Sequence, residues 1–247
     1  MMSNRVMSLI FAAAVTLFGF SPATLAQAPK QIPRTPEGKP NFAGLWVGGG
    51  GDGPRATRAA IARELPLTAW GREQVAYSTR GDGEYPGETG AAEDPRFHSL
   101  CGGPSSPANV GGRIEISQNP RRLFLVYFGD FTRMWARQFW IGREHPKDLS
   151  PTWMGDSIGR WEGNTLVVDT TGFNDKAWLD QVGHPRSDAL HLVERIRRVD
   201  HDTMRVDLTI DDSKAYTKPW TGEQIFKLRP GWHLIEYVCE DNMDVPR

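Results

Sequence analysis

Polar and aromatic side chains that could form a reactive site gather in two stretches. The first holds Arg143, His145, Asp148, Trp153 and Asp156. The second holds Trp178, Asp180, His184, Arg186 and Asp188. His145 stands between Glu144 and Pro146, and the proline stiffens its backbone. Either Asp148 or Asp156 can orient the ring, and a His–Asp pair is a general acid/base unit. A loop histidine holding one backbone hydrogen bond is the plainer alternative, and Asp156 can equally cap a turn. Arg143 and Arg186 carry planar guanidinium forks, which suit a carboxylate, a phenolate or an enolate. For Arg186 the bland alternative is a salt bridge beside Ser187 and Asp188.

Other chemistries find less support. His184 and His191 are seven apart, with no third His or Cys at metal-ligand spacing, and zinc needs three or four convergent ligands. No metal is therefore expected. Ser157 and Ser187 lack a G-x-S-x-G elbow. The glycine run from Gly48 to Gly53 lacks the Lys-Ser/Thr ending of a phosphate loop. No organic cofactor is expected. Glu194 lies in a strand-like stretch among Arg195, Arg197 and Arg198. Turned inward it must be paired or act as an acid, and turned outward it is one charge in a solvated row. Trp153, Trp161, Trp178, Tyr216 and Trp220, with His184 and Asp188, are candidates to line a pocket for a flat apolar molecule. Core filling is the alternative for each aromatic.

Between the two stretches lies Gly155 to Thr170, GDSIGRWEGNTLVVDT. It reads as a β-hairpin turning at Glu162-Gly163-Asn164, with a β-branched second arm. A stiff hairpin can hold the flanking loops in a fixed relation. The surrounding chain repeats the pattern. Strands are predicted at Phe42–Val47, Arg113–Gln118, Arg121–Phe128, Thr132–Ile141, Leu190–Val199, Thr203–Ile210, Glu223–Leu228 and Trp232–Cys239. One short helix is predicted at Thr68–Ser78, capped by Thr68. Arg80 to Pro107 is Gly- and Pro-rich and reads as a long surface loop. The fold class is all-β with one or two short helices. Its nine or ten strands form an antiparallel meander closing into a lipocalin-like or calycin-like barrel, and such a barrel can hold one small ligand.

The chain has 247 residues and a formal net charge of −1, which implies neither a nucleic-acid partner nor a charged membrane surface. Residues 1–26 read as a signal peptide: Arg5, then the apolar run SLIFAAAVTLFGF, then small residues ending at Ala26. The run is too short for a comfortable membrane span. The expected mature chain is secreted or periplasmic, with no membrane anchor. Residues 27–41 form an extended, Pro-rich N-terminal arm, and residues 42–247 form a single barrel domain. In an oxidising compartment the two cysteines, Cys101 and Cys239, are expected to pair.

The hairpin and its flanks carry a longer pattern. It comprises Pro151-Thr152-Trp153, Gly155 to Thr170, Phe173, Trp178-Leu179-Asp180, Gly183-His184-Pro185, Ser187, Leu190-His191 and Glu194-Arg195. It continues in Tyr216 to Trp220 and Glu236 to Glu240. This resembles an uncharacterised family of secreted bacterial β-rich proteins, and the resemblance implies export and a β-rich fold. Family members often carry histidine where this chain has Asp156 and Arg186, and aspartate where it has Asn164.

The resulting expectation is an exported enzyme without an organic cofactor. It would work by elimination, isomerisation or cyclisation on a small apolar or aromatic molecule. His145 and Asp156 would be the acid/base pair, with Arg143 or Arg186 holding developing negative charge. A periplasmic carrier of a hydrophobic ligand is the alternative, and a structural envelope protein a third. In an enzyme the His–Asp pair should converge on a cavity; in a carrier the cavity would be apolar with the histidine outside it.

Overall fold

Period-two alternation of apolar residues becomes a wall with one dry face. A computed structural model describes residues 30–48, 65–78, 112–128, 134–179 and 183–234. Among these residues nine strands form one closed barrel in sequence order. They are β1 (Gly44–Gly48), β2 (Arg113–Asn119), β3 (Arg122–Phe128), β4 (Met134–Ile141), β5 (Asp156–Glu162), β6 (Thr165–Thr171), β7 (His191–Arg198), β8 (Thr203–Asp211) and β9 (Trp220–Leu228). Strand β9 returns to pair with β1, so no sheet edge is left in the ring. In β3 every second residue, Leu123, Leu125 and Tyr127, is buried inside. In β8 the inward set is Met204, Val206, Leu208 and Ile210. The single helix among the described residues, α1 (Ala69–Ser78), is capped as expected: the Thr68 hydroxyl accepts from Gly71 N at 3.0 Å.

One pairing departs from the expected antiparallel meander. β4 and β5 run parallel, with Phe139 opposite Ser157 and Ile141 opposite Gly159. A parallel neighbour cannot be reached by a tight turn, so the chain leaves the wall and returns through residues 142–155. This crossover carries Arg143, His145 and Trp153. It packs outside β5 and β6, with Thr152 bridging Phe173 and Leu149 against Gly172. Gly155 ends it at φ +68°, where a Cβ would lie 2.6 Å from the Thr171 carbonyl oxygen. Only glycine makes that re-entry without strain.

Loops close the barrel at the β5 entry. Met154, Phe173, Leu179, Leu190, Ala215 and Tyr216 are buried there in continuity with the core. At the β5–β6 turn, Phe42 stacks on Trp161, their ring centroids 6.0 Å apart. The described part of the N-terminal arm is not extended. It folds back on itself through Thr35 and Gly38, with Arg34 bridging Pro40. Arg34 then reaches Asn164 at 3.1 Å. Gly48, the first residue of the glycine run, ends β1, while the rest of that run, the signal segment, Arg80–Pro107 and Asp180 lie outside the described residues. So do both Cys101 and Cys239, and with them the expected disulfide and most of the last predicted strand.

The interior is mostly filled by side chains. A cavity touches Phe42, Leu125, Tyr127, Glu194, Gln224 and Phe226, among others. Its free space is about 20 Å³, room for a single water molecule and little more.

Candidate functional site

Strand alternation turns Val168 and Thr170 inward, so Asp169 between them faces out. The same rule faces Asp156 outward at the start of β5 and His191 outward at the start of β7. Register then makes them neighbours. Asp169 lies opposite Ile158 on β5, two residues from Asp156, and opposite Val193 on β7, two residues from His191. Such diagonal neighbours are within reach of long side chains. The crossover lays His145 among them.

The result is an unbroken chain of hydrogen-bonded side chains on the outer wall. Arg143 donates to Asp156 Oδ1. His145 Nδ1 lies 2.7 Å from Asp156 Oδ2, and its Nε2 lies 3.1 Å from Asp169 Oδ1. His191 Nε2 lies 2.9 Å from Asp169 Oδ2. The sequence expectation that Arg143, His145 and Asp156 converge therefore holds in space. Asp148, the other candidate partner for His145, is exposed. Arg143 also stacks over Trp140, 5.0 Å from its ring centre.

This geometry divides the roles. Both ring nitrogens of His145 face carboxylates, so the ring donates to both only as an imidazolium. Neither nitrogen is left for a substrate. Burial pushes the Asp169 carboxyl up, but hydrogen bonds and charge from His191 and His145 outweigh it and hold the carboxyl below its ordinary range. His191 ends the chain. Its side chain is 41% exposed, and Nδ1 has no partner among the described residues.

Arg186 is elsewhere. It is buried in the loop cap, with Nη2 donating to the Trp153 carbonyl at 3.0 Å. Its neighbour Ser187 is tied by N and Oγ to the buried Asp212, at 2.6 and 2.7 Å. Asp188 is exposed and only loosely paired with Lys214, at 4.0 Å. The salt bridge weighed for Arg186 is thus not made with Asp188. The His184 carbonyl receives Leu179 N at 2.8 Å.

The candidate aromatic lining does not form one surface. Trp161 closes the barrel end opposite the loop cap. Trp178 and Tyr216 are buried in the cap, Tyr216 donating to the Pro185 carbonyl at 2.8 Å. Trp220 meets Tyr216 edge-on at 5.4 Å, and Trp153 packs half-buried against the core. None of them, nor His184 or Asp188, touches the interior cavity.

A second ionic cluster lies inside the barrel. Arg137 meets Glu194 through two hydrogen bonds, at 3.0 and 2.5 Å. Its remaining donors reach Ser157 at 3.1 Å and Thr170 at 2.8 Å. Burial works against the Arg137 charge, but Glu194 outweighs it and raises the guanidinium's affinity for its proton. Burial pushes the neighbouring Tyr127 phenol up to about 12, against the opposing charge of Arg137. Arg137 was invisible in MWARQFWI except as an inward position beside Phe139. Asp169 was equally legible only as an outward position in TLVVDT. No signal in the sequence joined either residue to its partner.

Fold and site together define a closed β-barrel bearing an imidazole–carboxylate relay on its outer wall. Comparison with known proteins found no matching family model and no matching curated protein.

Proposed function

We propose that the protein is an exported acid/base enzyme acting on a small apolar or aromatic molecule, with His191 as the group that moves the proton. One observation carries this reading. The relay from Arg143 through Asp156, His145 and Asp169 engages every imidazole nitrogen except His191 Nδ1, which stands at the solvent-facing end. Asp169 holds the His191 ring through Nε2, the task of the orienting carboxylate in an acid/base pair. Arg143, Asp156 and His145 are positioning residues behind it.

The chemistry is proton transfer at carbon. His191 Nδ1 takes a proton from a carbon next to an electron-withdrawing group. The electron pair moves into the adjacent bond or expels a leaving group. The imidazolium then returns its proton to the product or to water. The signal-like segment before Gln27 supports export. The relay lies on the outer wall and not at the interior cavity, which among the described residues has room for about one water, so that cavity supports neither an enclosed active site nor a carried ligand.

The test is deuterium exchange. Wild type, His191→Ala and Asp169→Asn are incubated in D2O with a panel of aromatic and apolar carbonyl compounds, and products are read by mass spectrometry. Wild-type-dependent deuteration should fall about 10²–10⁴-fold in His191→Ala while its melting curve is kept. Exchange that survives in His191→Ala sinks the assignment.

A further inference from the structure

We infer that Arg186 marks a binding site for a small carboxylate within the loop cap, apart from the outer-wall relay. Arg186 is 3% exposed, yet its guanidinium is only partly used. Nη2 donates to the Trp153 carbonyl at 3.0 Å and reaches Asn174 Oδ1 at 3.5 Å. Nε and Nη1 are buried and meet no hydrogen-bond partner among the described residues. The guanidinium carbon, Cζ, lies 5.2 Å from the centre of the Phe173 ring.

The nearby carboxylates do not meet this demand. Asp212 acts on Arg186 through space only. Its Oδ1 already accepts from the Ser187 hydroxyl, Lys214 N and Ala215 N, and its Oδ2 from Ser187 N. Asp175 also acts through space, from an exposed position. Desolvation pushes the guanidinium down to about 10, so at neutral pH it remains a cation without a direct counter-ion among the described residues. Buried charges are as a rule paired and hydrogen-bonded, and the paired Arg137 shows that this barrel can do so.

The chemistry narrows the ligand. One guanidinium with two unmet donors matches one monoanion bearing planar acceptors. Asp175 and Asp212 would repel a phosphate dianion, and among the described residues no second cation acts on Arg186 to offset that. Phe173 is fully buried against the guanidinium and sets no preference between an aromatic and an aliphatic carboxylate.

The experiment uses the full mature chain with benzoate, acetate and chloride as probes, at fixed pH and ionic strength. Benzoate should raise the wild-type melting temperature saturably, by about 5–10 °C at a hundredfold excess over Kd. It should also move the Arg186 Nε–H resonance of ¹⁵N-arginine-labelled protein. Arg186→Met should lose the response and melt no lower than wild type. An equal response from Arg186→Met, an unmoved Nε–H signal, or chloride matching benzoate would each overturn the carboxylate assignment. Should Arg186→Met fail to fold, the wild-type resonance decides alone.

Discussion

Two buried arginines, Arg137 in the barrel and Arg186 in the loop cap, face the same physical problem and meet it differently. Arg137 points from a strand into a ring of strands. Register can place acceptors on every side of it there, and Glu194, Ser157 and Thr170 take its donors. Arg186 rises from a loop against other loops, where a backbone carbonyl and one amide are what it reaches. The regular wall saturates its charge. The irregular cap leaves one open. The difference teaches where to look for ligands: a fully partnered ion pair serves the fold, while a buried donor without a partner is available to something else.

The comparison can be broken from either side. Glu194→Ala strands the Arg137 charge inside the barrel. Unfolding in urea should show a loss of about 3–5 kcal/mol. A loss under 1 kcal/mol would mean that the barrel pair is no better satisfied than the cap arginine. Arg186→Met, by contrast, removes an uncompensated charge at similar volume. Stability should hold or rise by about 1–4 kcal/mol. A fall as deep as that of Glu194→Ala would put both arginines in one class.

Alkaline titration sharpens the contrast. The Tyr127 phenol is pushed up to about 12 in the fold, against about 10 in the open chain. Its contribution is present below pH 10 and is lost as pH rises toward 12, up to about 2–3 kcal/mol. Arg186 has the opposite sign. Its folded value of about 10 lies below its unfolded one, so the unfolded chain holds more protons and stability rises with pH above 10. Urea unfolding between pH 9 and 12 should therefore fall with pH in Arg186→Met and rise in Tyr127→Phe. Parallel curves would remove the contrast.

The smallest effect belongs to the outer wall. Asp169 is held below the ordinary carboxylate range, so its contribution is present above about pH 4 and fades as pH falls through its folded value. The group is only partly buried, and solvent screens it. Asp169→Asn should cost only about 0.2–1 kcal/mol by urea unfolding at pH 6. A loss above 2 kcal/mol would make the relay a pillar of the fold rather than a site laid over it.

Much of this was legible in the chain. The alternation in RLFLVYF and TMRVDLTI marked strands whose inward faces the barrel buries as expected. His145 and Asp156 were readable as a pair because they stand only 11 positions apart in the chain. The parallel β4–β5 step was not readable, since alternation gives a strand's faces but not the direction of its neighbour. The aromatic residues misled for a related reason. Tryptophan composition shows that large apolar area must be buried, yet not whether it fills an end, a cap or a pocket.

What the sequence determined alone is therefore local: which residues alternate, where glycine permits a turn, and which groups near each other in the chain can meet. The tertiary structure decided everything that depends on register. Arg137 and Glu194 lie 57 residues apart, His191 and Asp169 lie 22 apart, and each pair meets because closing the ring sets which residues stand opposite. A shift of one residue in β6 would turn Asp169 inward and Thr170, a partner of Arg137, out to solvent.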